Sequence, residues 1–221
     1  MPPFTLGLEF AGTIVSAPPA SKFKPGDRVF GGGIGSYAQY IAVKESTLHL
    51  IPPSWSFAAA AGLTATAPVS YGGLVLRGQL KKGETVLIHA AAGGLGLMAV
   101  QIAKAVGARV IATAGSKEKL EVAKRFGADE AISYKDAEWW KKVLELTNGA
   151  GADVVYDSVG LVDKSLKCLK HKGRVLVIGF AGTEAAIEKI AMNRVLLKQA
   201  QIIGYVSSNK RYPASLRLTG L

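Results

Sequence analysis

Cysteine occurs once in these 221 residues, at Cys168. One thiol closes no intrachain disulfide and builds no cysteine-rich zinc site, and the expected compartment is the reducing cytosol. Long apolar runs are missing as well. The longest blocks, 57–62 and 86–92, fall far short of the roughly 20 residues that cross a bilayer. The opening MPPFTLGLEFAG has no basic stretch leading into an apolar core, so neither a membrane span nor a secretory signal is expected. Acid is scarce: 16 Asp and Glu against 27 Lys and Arg leave a net charge of +11. The basic residues are nevertheless scattered, without a block of five, and aromatics do not interleave with them as a base-stacking platform requires. Three readings of the charge stay open, in this order: a solvated basic surface, an anionic small molecule, and nucleic acid.

With 49% hydrophobic residues, the chain has enough apolar side chain for a sizeable core. Two grammars meet near residue 80. Over 1–80, short β-like runs at 10–15, 28–30 and 37–43 are punctuated by Ala17-Pro18-Pro19, Lys24-Pro25-Gly26-Asp27 and Gly31-Gly32-Gly33. This predicts a small, turn-rich β domain, with a helix over 58–67 and a kink or fresh start at Pro68. Over 81–208 the pattern alternates. Strands are predicted at 85–90, 109–113, 130–133, 153–157, 174–179 and 201–205. Helices are predicted between them at 95–106, 117–126, 137–147, 162–168 and 187–197, with Gly107 and Gly127 placed as C-cap glycines. Such alternation predicts an α/β fold with a doubly wound, Rossmann-like parallel sheet. Residues 209–221 read as an atypical tail.

The first strand of that alternation runs into Ala90-Ala91-Ala92-Gly93-Gly94-Leu95-Gly96. Gly93 permits close approach of a pyrophosphate, Gly96 permits tight packing of helix on strand, and the helix N-terminus faces the negative charge. Ala91 stands where the first glycine of G-x-G-x-x-G is expected, so the motif is degenerate. A glycine turn needed only for packing is the competing reading. An acid that holds a ribose 2′-hydroxyl belongs at the end of the next strand, about 20 residues on. Ala114 stands there, followed by Gly115-Ser116-Lys117-Glu118-Lys119. A hydroxyl and two ammonium groups suit a 2′-phosphate, which favours NADPH over NADH. Ser116 also reads as an N-cap, a role compatible with the first. Glu118 partly neutralises the lysines.

These residues resemble the zinc-independent quinone oxidoreductases, the zeta-crystallin-like branch of the medium-chain dehydrogenase/reductase superfamily. The resemblance rests on Gly83-Glu84-Thr85 with His89–Gly96, on Gly7–Gly12, Lys24–Val29 and Gly35–Tyr40, and on Gly127-Ala128-Asp129, Asp157–Gly160 and Val177-Ile178-Gly179. It implies that 1–80 is part of a GroES-like catalytic domain. It also implies hydride transfer from NADPH to a quinone or α,β-unsaturated carbonyl without zinc. A Gly-His-Glu triplet of the zinc enzymes reads Gly7-Leu8-Glu9 here, and Leu8 binds no metal.

By the same resemblance, Ala92, Gly93, Gly94, Leu95 and Gly96 hold the pyrophosphate, and Ser116, Lys119 and Tyr134 hold the 2′-phosphate. The backbones of Val159, Gly160, Ile178, Gly179 and Phe180 border the nicotinamide and its ribose, and Asn193 lies near them. Tyr37, Ser70 and Tyr71 are candidates beside the acceptor, Tyr71 being the catalytic one, while Tyr37 reads first as core. His89 reads as an interior histidine and Glu9 as structural. The apolar edge strand at 201–206 must be covered, and a homodimer through it is implied. The family's opening strands and its returning C-terminal segment are not recognisable here. The alternative reading is therefore an NADPH-binding but catalytically impaired chain with a regulatory or RNA-binding role.

Overall fold

The computed structural model describes residues 4–182 and 187–207; the predicted tail at 209–221 lies outside them. The chain divides into two compact units, Met1–Pro68 and Val69–Leu221.

In the first unit, β1 (Glu9–Thr13), β2 (Arg28–Gly32) and β3 (Leu48–Leu50) form an antiparallel sheet in that order. Phe23, Val29 and Leu48 are its buried centre, with Phe10, Ile14 and Val43 against them. Helix α1 (Phe57–Ala61) is capped by Ser56, whose Oγ accepts the N–H of Ala59 at 3.1 Å. Helix α2 (Leu63–Tyr71) runs through Pro68 without the expected interruption. The Glu9 carboxylate accepts the N–H of Ala65 at 2.6 Å in its first turn, the structural role expected of that acid.

The predicted strand at 37–43 does not form. Its place in the sheet goes to β3, because Leu48 supplies the buried side chain that pairs with the Phe23–Val29 centre and takes the remaining edge of β2. Among the described residues, 38–43 make no main-chain hydrogen bond. They face the unpaired edge of β1 across a groove of about 410 Å3. Amides 39–43 are accordingly expected to exchange with deuterium at nearly the rate of an unstructured chain, while those of Val29 and Phe30 stay protected. Slow exchange at 39–43 would mean that this segment has found a partner.

The second unit begins at Val69 with the end of α2, followed by a π-helical stretch, Gly72–Arg77. It continues through β4 (Thr85–Ile88), α3 (Gly94–Val106), β5 (Arg109–Ala114), α4 (Lys117–Arg125), β6 (Glu130–Ser133), α5 (Trp139–Leu146), β7 (Ala152–Asp157), α6 (Val162–Lys167), β8 (Leu169–Val177), α7 (Met192–Lys198) and β9 (Gln201–Gly204). The six strands are parallel in the order β6-β5-β4-β7-β8-β9. The chain therefore reverses direction of travel between β4 and β7, the switch point at which open α/β sheets bind ligands. Buried Val, Ile and Leu fill both faces: Val86, Ile88, Val110 and Val154 on one, Leu87, Ile111, Val155 and Val175 on the other. This is the doubly wound sheet the alternation predicts.

Several predicted boundaries shift: β8 starts at Leu169 instead of 174, and at two others the physical reason is visible. Strand β4 stops at Ile88 because Ala90 takes a left-handed φ of 48°. Helix α7 starts at Met192 rather than 187, because Glu188 is used elsewhere. Its carboxylate accepts the N–H groups of Val162 (3.0 Å) and Asp163 (2.7 Å), capping α6. Asp163 in turn accepts the Ala191 N–H at 2.9 Å and pairs with Arg194 at 2.7 Å, capping α7 reciprocally.

Candidate functional site

Parallel strands place their following turns at one edge of the sheet, and the predicted residues fall on three of those turns. At the first, between β4 and α3, Gly93 donates to the Ala90 carbonyl (2.9 Å) and Ala91 to that of Thr113 (3.0 Å). A Cβ on Gly96 would lie 2.6 Å from Ala91 Cα and 2.8 Å from its carbonyl carbon, with the Ala90 oxygen closer still. Only glycine lets the helix sit this close to the strand. Helix α3 is 13 residues long, its N-cap Gly93 offers no side chain, and its first turn has no acid. Helix geometry leaves the N–H groups of Gly94, Leu95 and Gly96 without internal acceptors, and Gly93 and Gly94 are exposed. With the helix dipole behind them, these groups can hold an anion. Ala92–Gly96 all lie on this one turn.

At the second turn, between β5 and α4, Ala114 closes the strand nearly fully buried and presents no carboxylate. The Ser116 hydroxyl caps α4 by accepting the N–H of Lys119 at 3.3 Å. Tyr134 packs on Gly115, where an added Cβ would lie 2.7 Å from Tyr134 Cζ, so its ring stands over the same turn. Lys117 and Lys119 are exposed, and neither forms an ion pair among the described residues. One acid intrudes: a hydrogen bond from Ser116, more than the charge of Lys135, holds the exposed Glu118 carboxyl below its usual range.

The third group is a pair of loops after β7 and β8. Val159, Gly160, Ile178 and Gly179 are half-buried there, and Phe180 is exposed. The loops are stitched by Ala181 N–H to Ser158 O (3.3 Å) and Gly182 N–H to Val159 O (2.9 Å). Beneath them lies Asp157, which sequence reasoning quoted but gave no role. Its only signal is an acid ending a buried apolar strand. Asn193 is exposed in the first turn of α7, and its side chain makes no hydrogen bond among the described residues.

With three turns gathered at one sheet edge, the chain can be compared with known proteins. A family described as zinc-binding dehydrogenase matches residues 94–219, and the alcohol dehydrogenase GroES-like domain matches 1–53. The chain belongs to the medium-chain dehydrogenase/reductase superfamily. It is 34% identical to human quinone oxidoreductase over 97% of this chain and 68% of that protein. A solved Escherichia coli quinone oxidoreductase complexed with NADPH superposes with a TM-score of 0.79 at 31% identity, over 93% of this chain and 64% of that one. An NAD-dependent alcohol dehydrogenase superposes with a TM-score of 0.82 at 32% identity, over 92% and 68%. The chain thus spans about 56 to 68% of the length of such relatives.

The three residues predicted beside an acceptor sit in different surroundings. Ser70 is wholly buried, donating to the Leu95 carbonyl at 3.0 Å while the Tyr156 hydroxyl lies 3.0 Å away. It therefore supports α3 instead of lining a cleft, and burial pushes the Tyr156 phenol up to about 12. Tyr71 is half-buried against the apolar cluster of Leu74, Val86 and Tyr156. Tyr37 is 76% exposed, not core. Leu8 is exposed, and among the described residues no three His, Cys, Asp or Glu side chains gather as metal ligands. No helix among them is long and apolar enough to cross a membrane.

His89 is interior, as expected. Its Nδ1 lies 3.0 Å from Thr113 Oγ1, its Nε2 lies 2.8 Å from Ser165 Oγ, and Trp139 meets it edge-on at 5.0 Å. Burial pushes its pKa down to about 4, against an opposing pull from Asp157. The unfolded chain, titrating near 6.5, therefore binds this proton first as acid is added. The stabilisation is whole above pH 6.5 and is lost as pH falls towards 4, in total roughly 3 kcal/mol at about 1.4 kcal/mol per unit. Urea midpoints at pH 7 and pH 4.5 should fall less steeply in His89→Asn than in the unaltered chain. His49, also lowered by burial and then by Lys22, contributes with the same sign to both. Equal slopes would mean that His89 does not stay neutral inside.

Proposed function

We propose that this chain binds NADPH along the three turns and presents it for reduction of a quinone or an α,β-unsaturated carbonyl, without zinc. When bound, the cofactor supplies the hydride and its electron pair to the electron-poor acceptor. The chain's own residues bind and orient. The N–H groups of Gly94, Leu95 and Gly96 take the pyrophosphate, and Ser116, Lys119 and Tyr134 take the 2′-phosphate. The main chain of Val159, Gly160, Ile178, Gly179 and Phe180 borders the nicotinamide. The β5–α4 turn carries this reading: it has two lysines without an ion pair among the described residues and an alanine where a carboxylate would reject the phosphate. Titration calorimetry should show NADPH bound at least about tenfold more tightly than NADH, a difference of about 1.4 kcal/mol. Equal affinities would sink the assignment.

A second reading keeps the cofactor and removes the turnover. It is favoured by the acceptor side, where Ser70 is buried and Tyr71 is spent on packing. NADPH binding without oxidation across a panel of quinones and enones would select it. The homodimer rests on β9, an edge strand whose Ile202 and following Val206 are exposed; pairing with a second copy would cover it. Sedimentation showing a monomer at high concentration would reject that arrangement.

A further inference from the structure

Both loops of the nicotinamide half hang from one residue. Asp157 ends β7 with no exposed surface. Its Oδ1 accepts the N–H groups of Val159 (2.8 Å) and Gly160 (2.9 Å), and its Oδ2 that of Leu161 (2.6 Å). Its main-chain carbonyl accepts Ile178 (2.7 Å) and Gly179 (3.3 Å) from the other loop. No lysine or arginine pairs with it among the described residues. A buried carboxylate without a cation is costly unless main-chain donors converge on it. Here they do, aided by Gly160 at a φ of 95°. The acid is not merely a helix cap, because Glu188 already holds the N–H groups of Val162 and Asp163 at the start of α6. Its bonds go instead to the loop.

The loops then close on each other. A Cβ on Gly179 would press to 3.1 Å from the Ser158 carbonyl, and one on Gly182 to 2.6 Å from Val159 Cγ1. With the N–H groups of residues 159–161 turned inward to Asp157, the carbonyls of Ser158 and Val159 turn outward and bind the second loop.

We propose that Asp157 is the positioning residue for the nicotinamide half of the dinucleotide: it touches no cofactor but sets the spacing and register of both loops. This rests on the cofactor reading above. Asp157→Asn keeps one acceptor oxygen and sets an NH2 group against the Leu161 N–H, so the loops part while the phosphate turns stay intact. The test titrates the full 221-residue chain with NADPH and, separately, with 2′,5′-ADP, which reaches only the two phosphate turns. The variant should bind NADPH about tenfold or more weakly while 2′,5′-ADP stays within about twofold. Equal loss of both ligands, or no loss of either, overturns this assignment alone. An unaltered chain that binds neither ligand overturns the cofactor reading and this proposal with it. Should D157N fail to fold, Asp157→Glu replaces it; the longer arm keeps the charge but not all three bonds, and the same split is expected.

Discussion

A Gly96→Ala chain should melt lower and bind NADPH at least tenfold more weakly, although alanine is the better helix former. Propensity alone favours the substitution by about 1 kcal/mol. Against it stands the new methyl, 2.6 and 2.8 Å from main-chain atoms of Ala91 and nearer still to the Ala90 carbonyl. Side-chain ends could swing away; main chain at a strand end cannot. Overpacking of this kind costs about 1–3 kcal/mol where some relaxation is available, and here the upper end applies. The net loss, roughly 2 kcal/mol, corresponds to a fall in melting temperature of about 4–8 °C for a chain of this size. Affinity falls for a separate reason. The clash is relieved by lifting the start of α3, and the N–H groups of Gly94–Gly96 move with it. Gly93→Ala is the control: its methyl would stand 3.3 Å from the Ala90 carbonyl, and the backbone there is extended with φ −85°. It should lower the melting temperature by clearly less than Gly96→Ala does, the remaining cost coming from the tight contact and the poorer N-cap. If Gly96→Ala melted and bound like the unaltered chain, the close packing of helix on strand would not be what shapes the phosphate turn.

The same close packing explains what could be read from residues alone. Strands β4, β5 and β7 are buried on both faces, so their sequences are continuous apolar runs ended by glycine or a polar residue, which periodicity detects. The phosphate turn is legible because a bare backbone needs glycine, and a missing carboxylate at Ala114 is a fact of composition. The antiparallel unit is harder. Residues 37–43 have strand-like composition and Leu48-His49-Leu50 is too short to alternate, yet β3 forms because Leu48 completes a core. That choice is tertiary, and local propensity does not contain it. Ser70 fails for a similar reason, since a hydroxyl bonded to Leu95 and Tyr156 in the interior reads like one lining a cleft. Asp157 is invisible because its partners are main-chain N–H groups, which carry no side-chain signature.

Reversing the charge of Lys119 should separate the two dinucleotides most sharply. The lysine is exposed and forms no ion pair among the described residues, so Lys119→Glu breaks no ion pair there, and the fold should keep its stability to within about 0.5 kcal/mol. A cation about 4 Å from a phosphate carrying nearly two charges gains roughly 2 kcal/mol even at the dielectric of water. Replacing it by an acid converts that attraction into a repulsion of similar size. The swing of roughly 4 kcal/mol should therefore lower NADPH affinity by about three orders of magnitude at low salt, while that of NADH, with a neutral 2′-hydroxyl, changes by less than threefold. Glu118→Gln should move the opposite way. It removes the one acid drawn to Ser116, freeing that hydroxyl for the phosphate and raising NADPH affinity severalfold. Both effects should shrink as salt shortens the Debye length below about 8 Å. If Lys119→Glu weakened NADH and NADPH equally, the phosphate would not lie at this turn, and the NADPH preference would have to come from elsewhere along the sheet edge.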